Sequence, residues 1–197
     1  MIDLTKLKEK SIHHEEKKQF NKRRRFDPAV HLFSQKPFSV VSMRDIAKEA
    51  EVSSTLFYKY FDDQQRLYIE AMKIEAQTMM ICISTIHELS ELVEYYIRHM
   101  FNEEVLYQMM AYFMLESAGK RAALPANQEI SKLIGHFEFV LLPLYSVEAK
   151  RESQLLFSTL KELLITYKNH LSFSNEQALQ HILSLTERYL DHLKTAE

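Results

Sequence analysis

The stretch SMRDIAKEAEVSSTLFYKYF, residues 42–61, holds two short helical patterns with almost nothing between them. Ser42 followed by Asp45 is a capping signature. Met43, Ile46, Ala47 and Ala50 then recur on one helical face. Ser53 can cap a second helix, on which Val52, Leu56 and Tyr60 stand a turn apart. The break at Glu51-Val52 leaves room only for two helices crossing steeply, the helix-turn-helix unit. Two short amphipathic helices also pack this way in helical proteins that touch no nucleic acid, so the pattern alone leaves both readings open.

The residue types favour a polyanion. A helix-turn-helix lays its second helix in the major groove of double-stranded DNA while the first braces against the backbone. Here the second helix opens with Ser53, Ser54 and Thr55. These small side chains allow close approach to base edges, and their hydroxyls can bond bases or phosphates. Its N-terminus favours a phosphate. Tyr58 and Tyr60 offer phenols to phosphates, and Lys59 adds a charge. Ser42 and Arg44, on the first helix, are expected where a DNA strand would pass.

Charge follows the same division. The chain has 197 residues and a net charge of −2. Residues 1–60 hold 13 Lys+Arg against 8 Asp+Glu, a net +5, whereas residues 61–197 hold 12 against 19, a net −7. A basic front and an acidic back point the front toward the polyanion. Lys22, Arg23, Arg24 and Arg25 form one block just before the first helix of the reader. That block reads as a DNA-contacting arm or as a solvated charge run. Asp27 with Pro28 fits a helix start. The spacing of Phe26, Ala29, Val30 and Phe33 fits a helix that begins earlier and bends at Pro28. Both stand on sequence alone.

Residues 29–67 resemble the N-terminal DNA-binding domain of the TetR family of transcriptional regulators. The residues that carry the resemblance are Ala29, Leu32, Phe33, Ile46, Ala47, Ala50, Val52, Ser53, Tyr58, Phe61 and Leu67. Three positions depart from the family pattern. Glu51 replaces the usual turn glycine, where a left-handed backbone costs glutamate roughly 1 kcal/mol, so an altered turn is expected. Leu56 replaces a threonine of the recognition helix. Gln64 replaces a lysine that resembles a phosphate clamp, so a neutral hydrogen bond to DNA is expected from it.

The remaining chain reads as helices. Only two glycines and four prolines occur, too few for sheets joined by tight turns. From Gln64 onward Tyr68, Met72, Ala76, Met79, Ile83 and Ile86 repeat at helical spacing. Further helices are expected near 90–101, 103–118 and 127–145, with Pro143 bending or ending the last. Leu156, Leu160, Leu163, Tyr167 and Leu171 mark a penultimate helix. Ala178, Ile182, Leu185, Tyr189 and Leu193 mark a final one, with Ser174 and Gln177 as its capping box. The expected fold is all-α with about nine helices. It comprises a DNA-binding domain over 1–63, which includes the basic extension, and a helical effector-binding and dimerisation domain over 64–197.

One helix-turn-helix reads only a few base pairs, so such readers pair on palindromes. The last two helices carry leucines on more than one face, among them Leu155, Leu163, Leu183 and Leu185. One face can pack inward and another against a second copy. The resemblance implies this homodimer, and it implies a small-molecule effector held in the middle segment. Candidate lining residues are Met79, Tyr95, Arg98, His99, Tyr107, Met110, Phe113, Met114 and His136. Methionines and aromatics suit an adaptable, largely apolar ligand, and equally an ordinary core.

Catalysis, metals and cofactors find no support. Phosphate-cradling loops need clustered glycines. His87-Glu88 lacks a second histidine a turn later. Cys82, alone in the apolar run MMICI, is expected to be buried and inert, and a single cysteine forms no internal disulfide. No apolar run is long enough for a membrane helix, so a cytoplasmic location is the default. The sequence therefore reads as a homodimeric DNA-binding regulator, a repressor released by a small ligand. The alternative is a DNA-binding architectural or partner-recruiting protein without small-molecule control.

Overall fold

Helices begin where short polar residues can satisfy their first amides. The computed structural model describes residues 26–36, 38–58, 61–117, 127–145 and 147–195. All its regular elements are helical. α1 covers 26–35, and a 3-10 turn follows at Phe38–Val40. Then come α2 (Met43–Glu49), α3 (Ser54–Tyr58), α4 (Gln64–Ile83), α5 (Leu89–Asn102), α6 (Glu104–Ser117), α7 (Asn127–Tyr145), α8 (Ala149–Tyr167) and α9 (Asn175–Thr195). The all-α reading with about nine helices holds for the described residues. Phe26 is already helical, so Pro28 lies inside α1 rather than at its first position.

Two capping boxes are made as the sequence implies. Ser42 Oγ accepts from the Asp45 amide at 3.2 Å, and the Ser42 amide donates to Asp45 Oδ2 at 2.9 Å. At α9 the Gln177 amide donates to Ser174 Oγ at 3.3 Å, and the Ser174 amide donates to Gln177 Oε1 at 2.9 Å. Each box answers two otherwise orphaned donors. Pro143 sits inside α7, which stops two residues later at Tyr145, as expected of a residue that cannot continue the hydrogen-bond ladder.

The chain divides into two compact units, one reaching Ala71 and the other beginning at Met72. The first unit packs α1, α2 and the start of α4 around Leu32, Val41, Ile46, Ala47 and Leu67, all buried. Two edge-on ring pairs tie it together. Phe26 meets Phe61 at 5.4 Å between centroids, and Phe33 meets Tyr68 at 4.6 Å. Each such pair adds about 1 kcal/mol beyond its buried area.

In the second unit α7 packs along α8, and α9 packs against both α5 and α8. Tyr96 stands at its centre, edge-on to Phe137 at 5.9 Å and tilted to Phe157 at 6.0 Å. Ile83, Leu92, Leu141, Leu156, Leu160 and Ile182 complete the core.

Two expectations are corrected here, for Cys82 and Leu171. Cys82 is exposed, not buried. In a helix Met79 and Ile83 share the inward face, and this turns Ile81 and Cys82 outward. Leu171 does not extend the α8 stripe, because α8 ends at Tyr167 and Leu171 stands wholly exposed in the following turn. In α9 the buried row is Ala178, Ile182, Thr186 and Leu190. Leu185, Tyr189 and Leu193 are only half-buried beside it.

Candidate nucleic-acid interface

The turn between α2 and α3 is the defining local feature. After Ala50, Glu51 adopts φ 54°, the positive φ among the described non-glycine residues. The Glu51 amide donates to the Lys48 carbonyl at 3.1 Å, and the Val52 amide to the Ala47 carbonyl at 3.0 Å. This is the Schellman arrangement, in which a left-handed residue lets the chain fold back on the last carbonyls of a helix. Glutamate has a Cβ that this conformation crowds, at a cost of about 1 kcal/mol. The expectation of an altered turn is thereby corrected. Glu51 keeps the left-handed conformation that a glycine would adopt freely.

The turn delivers α3 directly after Ser53. Ser53 and Thr55 are exposed, Ser54 is half-buried, and Tyr58 is 54% exposed. On α2, Arg44 is exposed. Ser42 is exposed too, but its hydroxyl also donates to Asp45 Oδ2 at 2.6 Å. Those Ser42 hydrogen bonds hold the Asp45 carboxyl below the usual carboxylate range. The Gln64 side-chain amide donates to the Val41 carbonyl, tying the start of α4 to the segment before α2. So Gln64 has a partner within the protein as well as its expected place near DNA. Lys22, Arg23, Arg24, Arg25, Lys59 and Tyr60 lie outside the described residues.

One tie was not legible in the sequence. His31 Nδ1 meets Glu49 Oε1 at 2.9 Å, and the Gln35 side-chain amide lies 2.9 Å from His31 Nε2. This joins the exposed sides of α1 and α2. The residues are 18 positions apart, and no local pattern pairs them.

The candidate effector residues fall into separate settings. Met79 and Tyr107 are buried, while Tyr95, His99, Met110 and His136 are half-buried. Tyr95 stacks on His99, with centroids 5.6 Å apart and 14° between planes. Burial, with a hydrogen bond to Cys82, pushes the Tyr95 phenol up to about 12. Burial lowers the His99 imidazole against the opposing pull of Glu103. His99 Nε2 is buried without a hydrogen-bond partner.

Elsewhere the candidates have partners of their own. Tyr107 lies under Lys168 Nζ at 4.0 Å and accepts from Asn169 Nδ2 at 3.3 Å. His136 Nε2 lies 2.9 Å from the Ile86 carbonyl. Arg98 is paired to Glu94 at 2.7 Å on the surface. The side chains of Phe113 and Met114 lie outside those described. Among the described residues no three His, Cys, Asp or Glu side chains stand together as metal ligands, and no helix is long and apolar enough to cross a membrane.

Residues 26–71 match the sequence model of the bacterial regulatory proteins of the tetR family. Among solved structures, a transcriptional regulator (TerR/AcrR family) from Aquifex aeolicus VF5 aligns with TM-score 0.66 and 18% identity, over 87% of this chain and 98% of that one. The fatty acid degradation regulator FadR from Bacillus halodurans aligns with TM-score 0.64 and 16% identity, over 83% and 93%. A TetR transcriptional regulator from Rhodococcus sp. RHA1 aligns with TM-score 0.58 and 18% identity, over 86% and 94%. No curated protein sequence matches the chain. The N-terminal segment is thus a TetR-family helix-turn-helix domain, and the chain has the fold of TetR-family regulators.

Proposed function

We infer that this chain, which carries the TetR-family reader domain on the TetR fold, is a DNA-binding transcriptional regulator. The reading extends to a homodimer on a palindromic operator and to a repressor released by a small, largely apolar ligand. One observation carries the DNA reading. The left-handed Glu51 and its Schellman bonds hold α3 against α2, with Thr55 and Tyr58 outward.

The homodimer is supported by α8. Leu156, Leu160 and Leu164 are buried in the chain, whereas Leu155 on the opposite face is 57% exposed. A second copy would cover that face, giving the two readers a palindrome requires. The effector is supported by the setting of His99, a half-buried ring stacked on Tyr95. His99 Nε2 there could receive one polar atom of a mainly apolar molecule. A DNA-binding regulator of this kind works in the cytoplasm.

The test is fluorescence anisotropy of a labelled genomic DNA fragment pool, bound by the full chain at several salt concentrations. The reading predicts tight binding that weakens steeply with salt and is lost in Arg44→Ala combined with Tyr58→Ala. Binding unchanged in that double variant would refute the helix-turn-helix as the contact surface.

A further inference from the structure

Gln64 stands at the first position of α4, immediately after Asp62 and Asp63. Its side-chain amide donates to the Val41 carbonyl, 23 residues back along the chain. Val41 is buried. Its carbonyl lies one residue outside the α2 ladder, whose first acceptor is the Ser42 carbonyl, reached by the Ile46 amide at 3.1 Å. A buried carbonyl outside a ladder needs a side chain or water to answer it, and Gln64 supplies that partner.

The same position is ill-suited to a phosphate. Asp62 and Asp63 are both exposed, and residues 62–66 carry two carboxylates against the one guanidinium of Arg66, a net −1. Asp63 Oδ1 accepts from the Arg66 amide at 2.7 Å. A carboxylate thus already occupies the amide end of α4, which would otherwise draw an anion. Val41, by contrast, leads straight into the reader. Ser42 follows it and caps α2 with Asp45, and the bonds around Glu51 lock α3 to α2. A strut at Val41 therefore sets where both helices stand on α4, and with them Arg44, Thr55 and Tyr58.

From this hydrogen bond and its charge setting we propose that Gln64 is a positioning residue for the reading of DNA sequence and not a phosphate contact. The inference rests on the reading of α2 and α3 as the DNA-contacting helices. It replaces the neutral hydrogen bond to DNA that the sequence led one to expect of Gln64. A phosphate contact strengthens binding to every duplex alike, whereas a residue that fixes the reading helices acts on the preferred sequence.

The test is binding by the full chain, as parent and as Gln64→Met, to the duplex the parent selects from a random pool and to a scrambled duplex of the same length. Gln64→Met keeps the apolar stem and removes the donor. It should weaken the selected duplex about fivefold, the scale of losing one hydrogen bond, and leave the scrambled duplex and the salt slope unchanged. A purely structural role would lower the thermal midpoint without changing that ratio in the folded protein, so the midpoint is measured alongside. Amide hydrogen exchange gives a second readout. The Asp45 and Ile46 amides should exchange faster in Gln64→Met and in Gln64→Glu, which keeps the shape, lacks the donor and is favoured at a helix N-terminus. Equal weakening on both duplexes overturns the proposal in favour of a phosphate contact. Unchanged binding to both, or unchanged exchange at Asp45 and Ile46 in both variants, overturns it as well. A parent chain that selects no duplex overturns the DNA reading itself, and this inference with it.

Discussion

The Val52 amide donates to the Ala47 carbonyl at 3.0 Å, closing a loop over Glu51 at φ 54°. That one bond makes the reading helix start immediately after the bracing helix ends. The conformation is one that glycine adopts without strain and glutamate does not. The surrounding packing of Ile46 and Ala47, both buried, over-determines the turn and holds the strained residue in place.

Glu51→Gly should therefore stabilise the first unit. Relief of the Cβ crowding is worth about 1 kcal/mol, partly offset by the greater freedom of glycine in the unfolded chain. Urea unfolding followed by hydrogen exchange at the α2 and α3 amides should show the gain there and no change in the second unit. A loss of stability would mean that Glu51 makes a contact that outweighs its strain.

Contacts to DNA should separate by type. Arg44→Ala removes one charge at the proposed backbone contact. It should weaken binding to all duplexes about equally and reduce the salt slope by about 1. Thr55→Ala removes a hydroxyl from the first turn of α3 and should instead change the preferred sequence. Competition binding against a panel of duplexes at two salt concentrations distinguishes these outcomes.

Leu155→Glu tests the pairing of two chains. Leu155 is exposed on the outer face of α8, so the substitution should leave the helicity of the chain unchanged. A carboxylate buried without a partner costs several kcal/mol, enough to shift a micromolar dimer to monomer. Sedimentation velocity should show dimer for the parent and monomer for the variant. A variant that remains dimeric would place the interface elsewhere.

The pH dependence of stability should carry a signature of His99. Burial holds its folded-state pKa below the ordinary histidine value of 6.5. The unfolded chain then binds more protons than the folded chain as pH falls below about 6.5, so stability is full above that pH and declines beneath it. Comparing denaturation midpoints at pH 7.5 and pH 5 should show a smaller acid loss in His99→Gln than in the parent. Equal losses would mean that the buried imidazole is not the source.

Lys168 is an interior cation, with its ammonium 2.8 Å from Glu104 and its side chain only 7% exposed. Burial lowers its pKa against the opposing effect of Glu104. Glu104→Gln strands that charge and should cost roughly 2 kcal/mol, below the full cost of breaking a buried pair because Glu104 is partly exposed. Lys168→Met keeps the stem's packing over Tyr107 and removes the charge, so it should cost less. Denaturant unfolding of both variants gives the order. The reverse order would show that the cation–ring contacts outweigh the ion pair.

The local signals were readable because each acts within a few residues. Ser42 with Asp45, and Ser174 with Gln177, announced helix starts that the structure makes. The tight break at Glu51-Val52 announced the helix-turn-helix. Apolar spacing along α4 and just past its end marks a buried row from Tyr68 to Ile86. What the sequence did not disclose depends on partners far along the chain. His31 finds Glu49 across two helices, and Lys168 finds Glu104 sixty-four residues away. Cys82 is exposed because an apolar run of five residues wraps more than one turn and must face both inward and outward. In α9, Thr186 joined the buried row by donating its hydroxyl to Ile182, which hides its polarity from a reading by apolar residues alone.

The most direct measurement is selection of bound sequences from a random duplex pool by the purified full chain at moderate salt. A dimeric reader should enrich a palindrome, two inverted half-sites separated by about one helical turn or a multiple of it. Enrichment of a single unpaired half-site, or salt-dependent binding with no enriched sequence, would contradict a dimeric reader of specific DNA.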